Sequence, residues 1–298
     1  MDQLITGLLN GEMRIIAISG KEMVQGAQDI HNLSRVATAA LGRQILMTAM
    51  MTALQKNESD TLTTILAGDG VGGNLVCVGR PGGLVKACAA FPEAELPLKA
   101  NGKLDVGGYV GSQGKLTVAR ATGAKEPYVG TCPLVSGEVA EDFAQYFTVS
   151  EQTPSLVYLG VQLRADSRRV LAGAGLFLQP LPDCAGETVD AVMGRAAAIQ
   201  SLGAGLADGM DLKAVLADIF LGLEIEWLTE ILPALRCDCS RDRLARVVVS
   251  LGKEELLDMM ETDGQAELTC RFCGSKYLFT KEALAELLRE ALEHKNEC

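Results

Sequence analysis

Four of the nine cysteines fall into two tight groups near the C-terminus: Cys237 and Cys239 in RCDCSRDR, then Cys270 and Cys273 in TCRFCGSKY. C-x-C, thirty intervening residues and C-x-x-C provide four soft thiolate ligands, enough to close a tetrahedral zinc site without histidine. The second pair lies in a knuckle where Gly274 relaxes the backbone and amides can point at sulfur. Bound zinc keeps all four sulfurs as thiolates, which is also the form an oxidant attacks. A purely structural four-cysteine zinc is the plainest reading. The C-x-C spacing points elsewhere, because two thiols this close can each find an oxidation partner locally. A third reading, a thiol-disulfide oxidoreductase using Cys270-x-x-Cys273, lacks the strand-to-helix setting in which a thioredoxin-like pair works.

No other constellation names a reaction. Gly68, Gly70 and Gly73 satisfy G-x-G-x-x-G, but NLVCVGR after them continues as a strand. A dinucleotide loop needs a helix there to receive the pyrophosphate, so these glycines read as a hairpin turn. There is no G-x-x-x-x-G-K-[ST] loop to suggest ATP use. His31 and His294 are the only histidines and have no metal-ligand spacing, and no G-x-S-x-G elbow accompanies them. Acidic stretches such as GEVAEDF read as a solvated helix face. Met47, Met50 and Met51 could line an adaptable surface, although core packing fits them better. Cys77, Cys88, Cys132 and Cys184 read as small hydrophobes, and Cys298 as a loose terminal thiol.

Composition narrows the field. A chain of 298 residues is long enough for about two domains. The net charge of −11 argues against nucleic acid, and the segment from Pro233 onward has ten Lys+Arg against thirteen Asp+Glu, so it carries no basic footprint. No apolar run approaches the ~18–20 residues that span a bilayer. MDQLITGLLNGEMRI lacks the marks of a signal peptide, so a cytoplasmic protein without membrane partners is expected. In that compartment paired cysteines more often bind metal or do redox chemistry than form structural disulfides.

The elements that must position the cysteines follow from periodicity. From 1 to 182 the pattern is α+β: MRIIAIS reads as a strand and DIHNLSRVATAALGRQILMTAMMTALQK as one long helix, with Ile30, Leu33, Ala37, Leu41, Ile45 and Met51 on one face. Strands TLTTILA, GNLVCVGR, GLVKACAAF, KLTVARA, LVYLGVQLRA and RVLAGAGLFLQ follow, separated by glycine and proline turns. Residues 183–232 form a helical linker without strand pattern, in which Leu212, Val215, Leu216, Ile219, Phe220 and Leu223 recur at helical spacing behind an Asp211 cap. Such an apolar stripe must be covered at rest, by the N-terminal region, by the cysteine module or by both. Residues 233–298 are a small cysteine module. Ser240 caps a helix that Gly252 stops, KEELLDMMET forms a second, AELTC and KYLFT flank CRFCG as strands, and Thr280 caps a last helix bearing Leu284, Leu287, Leu288 and Leu292. A unit this small has little core, and structural zinc supplies ~10–16 kcal/mol of apparent folding free energy, so losing the metal would unfold it.

C-D-C and C-R-F-C-G at this spacing, with ALGR, ANGKLDVGGYVG, LVSGEVAEDFAQYFTVSEQTPS and LGV upstream, resemble the redox-regulated 33-kilodalton heat-shock chaperonin family over essentially the whole chain. All four ligand positions match, and Cys298 is a thiol the pattern does not need. The resemblance implies a non-enzymatic, ATP-independent holdase with an α+β N-terminal domain, a helical linker and a C-terminal zinc domain. It implies an inactive reduced form with one zinc per chain on Cys237, Cys239, Cys270 and Cys273. It further implies that under oxidative stress disulfides Cys237–Cys239 and Cys270–Cys273 form, zinc leaves, the linker unfolds, and a homodimer binds unfolding client proteins.

Overall fold

The computed structural model describes residues 1–123 and 126–296, with side chains as far as Arg289. Cys298 and the side chains of Leu292 and His294 lie outside the described residues. The chain divides into two compact units, Met1–Arg236 and Cys237–Cys298.

The first unit begins with β1 (Gln3–Leu9), β2 (Met13–Ser19), α1 (Lys21–His31) and α2 (Arg35–Thr52). Then come β3 (Thr61–Gly68), β4 (Leu75–Arg80), β5 (Leu84–Ala89), α3 (Val106–Val110), β6 (Gly114–Ala121) and β7 (Tyr128–Pro133). After α4 (Ala140–Val149), β8 (Leu156–Leu163) and β9 (Val170–Pro180) run four short helices: α5 (Gly186–Met193), α6 (Ala196–Ile199), α7 (Leu202–Ala207) and α8 (Leu212–Ile219). The unit closes with β10 (Ile225–Ile231) and β11 (Ala234–Leu235). One sheet has five antiparallel strands ordered β10-β1-β2-β9-β8; the other has six ordered β11-β5-β4-β3-β6-β7, antiparallel except for the parallel pair β11–β5. This is the α+β architecture the strand pattern predicts.

The predicted long helix is two. Asn32 takes a left-handed conformation (φ 48°) after α1, and Ser34 Oγ restarts the chain by accepting the Ala37 N–H at 3.1 Å. Ile30 is consequently exposed, while Leu33, Ala37, Leu41, Ile45 and Met51 are buried. Within α2 only Arg35 and Arg43 keep appreciable exposure, because the helix packs against both sheets. Met47, Met50 and Met51 are all core. The Gly68–Gly73 segment is the hairpin turn between β3 and β4. Its glycines are needed because a Cβ on Gly68 or Gly70 would collide with the carbonyls of Val110 or Tyr109.

Two predictions fail for reasons of burial. The linker contains a strand: β10 pairs with β1 from Leu4↔Ile231 to Leu9↔Ile225. Its residues alternate only weakly because β10 is an edge strand and much of it is exposed. The GEVAEDF stretch is not a solvated face. Asp142 is fully buried and accepts the amides of Val135, Ser136, Gly137 and Val139 at 2.8–3.3 Å, bracing a turn in which Val139 has φ 70°.

The five-stranded sheet is covered on both faces. Leu4, Ile16, Ile18 and Phe177 join the α2 core, whereas Ile5, Leu9, Ile15, Leu176 and Leu178 meet the linker helices. Leu212, Val215, Leu216, Ile219 and Phe220 are buried there, so the N-terminal region covers the linker stripe.

The second unit consists of α9 (Arg241–Ser250), α10 (Lys253–Asp258), a π-helical turn (Met259–Asp263), the hairpin β12 (Gln265–Thr269) and β13 (Lys276–Thr280), and α11 (Lys281–Asn296). Among the described residues its core cluster is small: Val248, Leu256, Ala266, Phe279 and Leu284 are buried.

Candidate metal centre

Each cysteine arm is set by local rules. Cys237 and Cys239 precede α9, whose cap is Ser240: its Oγ accepts the Arg243 N–H at 3.3 Å. Arg243 in turn ion-pairs with the Asp238 carboxylate and donates to its carbonyl at 3.2 Å, tying the C-x-C arm to the first turn of the helix. Cys270 and Cys273 occupy the β12–β13 turn. There the Gly274 N–H reaches Cys270 O at 2.9 Å, the Cys270 N–H reaches Ser275 O at 2.8 Å, and Gly274 has φ 71°. The knuckle the glycine predicts is therefore formed. Thr280 Oγ1 accepts the Ala283 N–H at 3.4 Å and starts α11 as expected.

The structure brings all four predicted ligands together. Their sulfurs lie within 4.8 Å of one another, with Cys237 Sγ to Cys270 Sγ at 3.7 Å and Cys239 Sγ to Cys273 Sγ at 3.4 Å. A tetrahedron with ~2.3 Å metal–sulfur bonds has edges of about 3.8 Å, so this spacing fits a zinc held by four cysteines. No such group of metal-ligand side chains occurs elsewhere among the described residues. These two sulfur–sulfur contacts run between the arms, and the compact cluster does not by itself favour links within each pair.

Two hydroxyls that spacing does not reveal complete the site. Tyr277 Oη lies 3.2 Å from Cys239 Sγ and Ser275 Oγ lies 3.2 Å from Cys273 Sγ. Tyr277 is foreseeable only as a strand residue of KYLFT; the turn of the hairpin directs it to the sulfur. Burial pushes the Cys237 and Cys270 thiols up. Burial acts on Cys273 too, but the Ser275 hydroxyl and amide and the neighbouring thiols draw it down to about 7. The hydrogen bond to Cys239 is the main reason the Tyr277 phenol rises to about 12. A dication among four sulfurs would favour every thiolate, overriding these differences.

The other candidates stay apart from this chemistry. Cys77, Cys88 and Cys132 are buried in the first unit and Cys184 is half-buried there, none with a disulfide. Burial raises the Cys77 thiol well above its ordinary value, which makes it inert. His31 Nε2 lies 2.9 Å from the Ala87 carbonyl. No helix among the described residues is long and apolar enough to cross a membrane.

Comparison with known proteins agrees with this layout. The family model described as Hsp33 protein matches residues 2–280. The 33 kDa chaperonin of Clostridioides difficile is 38% identical over 281 residues, covering 94% of this chain and 96% of that protein. That of Caldanaerobacter subterraneus subsp. tengcongensis is 40% identical over 278 residues, 92% of this chain and 93% of the other. The crystal structure of the Thermotoga maritima 33 kDa chaperonin, an Hsp33 homologue, superposes with a TM-score of 0.86 at 32% identity, covering 98% of this chain and 99% of that one.

Proposed function

The chain belongs to the Hsp33 family of chaperonins, and from that premise we propose that it is a redox-gated, ATP-independent holdase for unfolding client proteins. The observation that carries the reading is the four-sulfur cluster in a unit of residues 237–298 whose core cluster holds only five buried residues among the described ones. Zinc, one per chain, would hold Cys237, Cys239, Cys270 and Cys273 as thiolates and bind the two arms together. Everything else falls to the chain. Each cysteine pair, as two thiolates, gives two electrons to one molecule of hydrogen peroxide, which leaves as two hydroxide ions. Cys237 Sγ is then bonded to Cys239 Sγ, and Cys270 Sγ to Cys273 Sγ. Sulfurs so joined no longer carry the charge that retains a dication, and the small unit loses its main brace.

Links within each pair follow from what happens after the brace is lost. Once the arms separate, the nearest thiol is the local one, and closing the loop between Cys239 and Cys270 is disfavoured by chain entropy. The linker, residues 183–232, runs into the cysteine unit through β10 and β11, so its release exposes Leu212, Leu216, Ile219 and Phe220 to clients. The three-part division at 182 and 232, dimerisation of the active form and a cytoplasmic setting belong to the same proposal.

The reading is tested by measuring zinc release, linkage and client aggregation before and after peroxide with mild heat. The reduced protein is expected to hold one zinc and let a client aggregate. The oxidised protein is expected to lose it, suppress aggregation without ATP, and yield peptides linked 237–239 and 270–273. Activity that is equal in both states would instead make the zinc purely structural. Dominant links between the pairs or to Cys298 would overturn the disulfide assignment. A thiol-disulfide oxidoreductase is disfavoured because Cys270 and Cys273 sit on a hairpin turn rather than at a helix N-terminus.

A further inference from the structure

The inner face of the five-stranded sheet changes character where α2 stops. Ile16, Ile18 and Phe177 meet that helix, but farther along the strands the same face carries Thr6, Leu8, Arg14 and Gln179, in register as Thr6↔Ile16, Leu8↔Arg14 and Arg14↔Gln179. The helix ends at Thr52 and leaves a cavity of about 630 Å3. Its walls come from residues 53–56, from Phe147 and Glu151 at the end of α4, from Arg120 on β6 and from Leu228 on β10.

In a chain of net charge −11 this cavity is cationic: Arg14, Lys56 and Arg120 face a single carboxylate, Glu151. Glu151 is already committed, since it pairs with Arg120 at 3.1 Å and accepts the Tyr146 hydroxyl. Arg14 donates to Gln179 Oε1 at 2.6 Å, and neither Arg14 nor Lys56 is ion-paired with a described carboxylate. Nor do these cations serve as helix caps. The amides of Ala53, Leu54 and Gln55 already bond the last carbonyls of α2, and those of Ser150 and Thr153 bond Tyr146 and Phe147 of α4. Gln55 Oε1 on the same wall is buried without a partner. Ile16, Leu54, Phe147, Leu181 and Leu228 give the wall an apolar side, beside Thr6 and Thr153. Phe147, Glu151 and Thr153 belong to YFTVSEQTPS, a stretch for which the metal chemistry has no use.

We propose that this cavity is a binding site for a small amphiphilic anion, with a carboxylate or phosphate head between Arg14 and Lys56 and an aliphatic body against Phe147, Leu181 and Leu228. Concave sites that join an apolar lining to a few convergent charges are the usual form of a small-molecule pocket. The proposal concerns the first unit alone and does not depend on the redox reading.

The test is titration calorimetry on the full-length reduced protein with decanoate, decyl phosphate, decanol and inorganic phosphate. Decanoate or decyl phosphate should bind one per chain, and the tighter of the two identifies the head group. Each charged hydrogen bond contributes about 1.5–3 kcal/mol, so Arg14→Gln and Lys56→Gln should each weaken binding about tenfold or more. Lys56 is exposed, so a loss in Lys56→Gln is not a folding failure. Leu228→Asp, also at an exposed position, should weaken the decyl ligands and leave the circular dichroism unchanged. Equal affinity for decanol, inorganic phosphate binding as tightly as decyl phosphate, insensitivity to Lys56→Gln, or no binding of either decyl anion would each overturn the proposal.

Discussion

The two units of this chain reach stability by different routes. In the first, α2 is buried on nearly every side and the five-stranded sheet is covered on both faces, by that helix on one and by the linker helices on the other. In the second, a hairpin and three α-helices enclose a core cluster of five buried residues among the described ones, too few to hold about 60 residues securely without a further constraint. The same contrast runs through the cysteines. Cys77, Cys88 and Cys132 of the first unit are buried as small hydrophobes, and Cys237, Cys239, Cys270 and Cys273 of the second converge on one point. The proposed switch would sit in the unit with the smaller core, while the linker helices pack on the sheet of the larger one.

The largest effect should come from removing the metal ligands. A Cys270→Ser, Cys273→Ser variant is expected to retain almost no zinc and to lose most of the ~10–16 kcal/mol that structural zinc contributes, unfolding residues 237–298 while α2 and the sheets keep their slow hydrogen exchange. Full zinc retention would defeat the ligand assignment, and loss of protection in α2 would break the contrast between the units.

Next comes the linker. Phe220 is fully buried against the sheet and Leu223 is half-buried beside it. Phe220→Ser with Leu223→Ser should cost roughly 2–5 kcal/mol for the fully buried residue and less for the other. Trp227, the chain's single tryptophan, lies half-buried on β10, so its emission should shift to the red as the linker loosens. The variant should keep its zinc and partly suppress client aggregation while reduced. If the linker is demonstrably loose and the protein stays inactive, activation lies elsewhere in the N-terminal unit.

Asp142→Ala sharpens the comparison from the other side. It strands four amides in a buried turn, and hydrogen bonds to a charged group contribute about 1.5–3 kcal/mol each. The midpoint of unfolding of the first unit should fall markedly and zinc content should not change. A midpoint like that of the unaltered protein would mean the carboxylate is not what holds the turn.

Much of the site was readable because its determinants are local. The C-x-C and C-x-x-C spacings, the Ser240 and Thr280 caps and the Gly274 turn each act within a few residues, and each appears in the structure where the sequence puts it. The hairpin strands and the apolar stripe of α8 were legible for the same reason. What the sequence could not decide depended on partners far along the chain. β1 pairs with β10 more than 200 residues away, and neither segment carries a mark of the other. The coverage of α2 by two sheets hides the one-sided periodicity by which amphipathic helices are recognised. Asp142 reads as solvent-facing until a turn seven residues upstream folds back over it. The cationic cavity exists only because α2 stops before the sheet does, and Arg14, Lys56 and Arg120 meet there from three separate elements. Sequence determines backbone conformation and periodicity through short-range sterics and hydrogen bonds; which surfaces meet is settled by burial, summed over the whole fold.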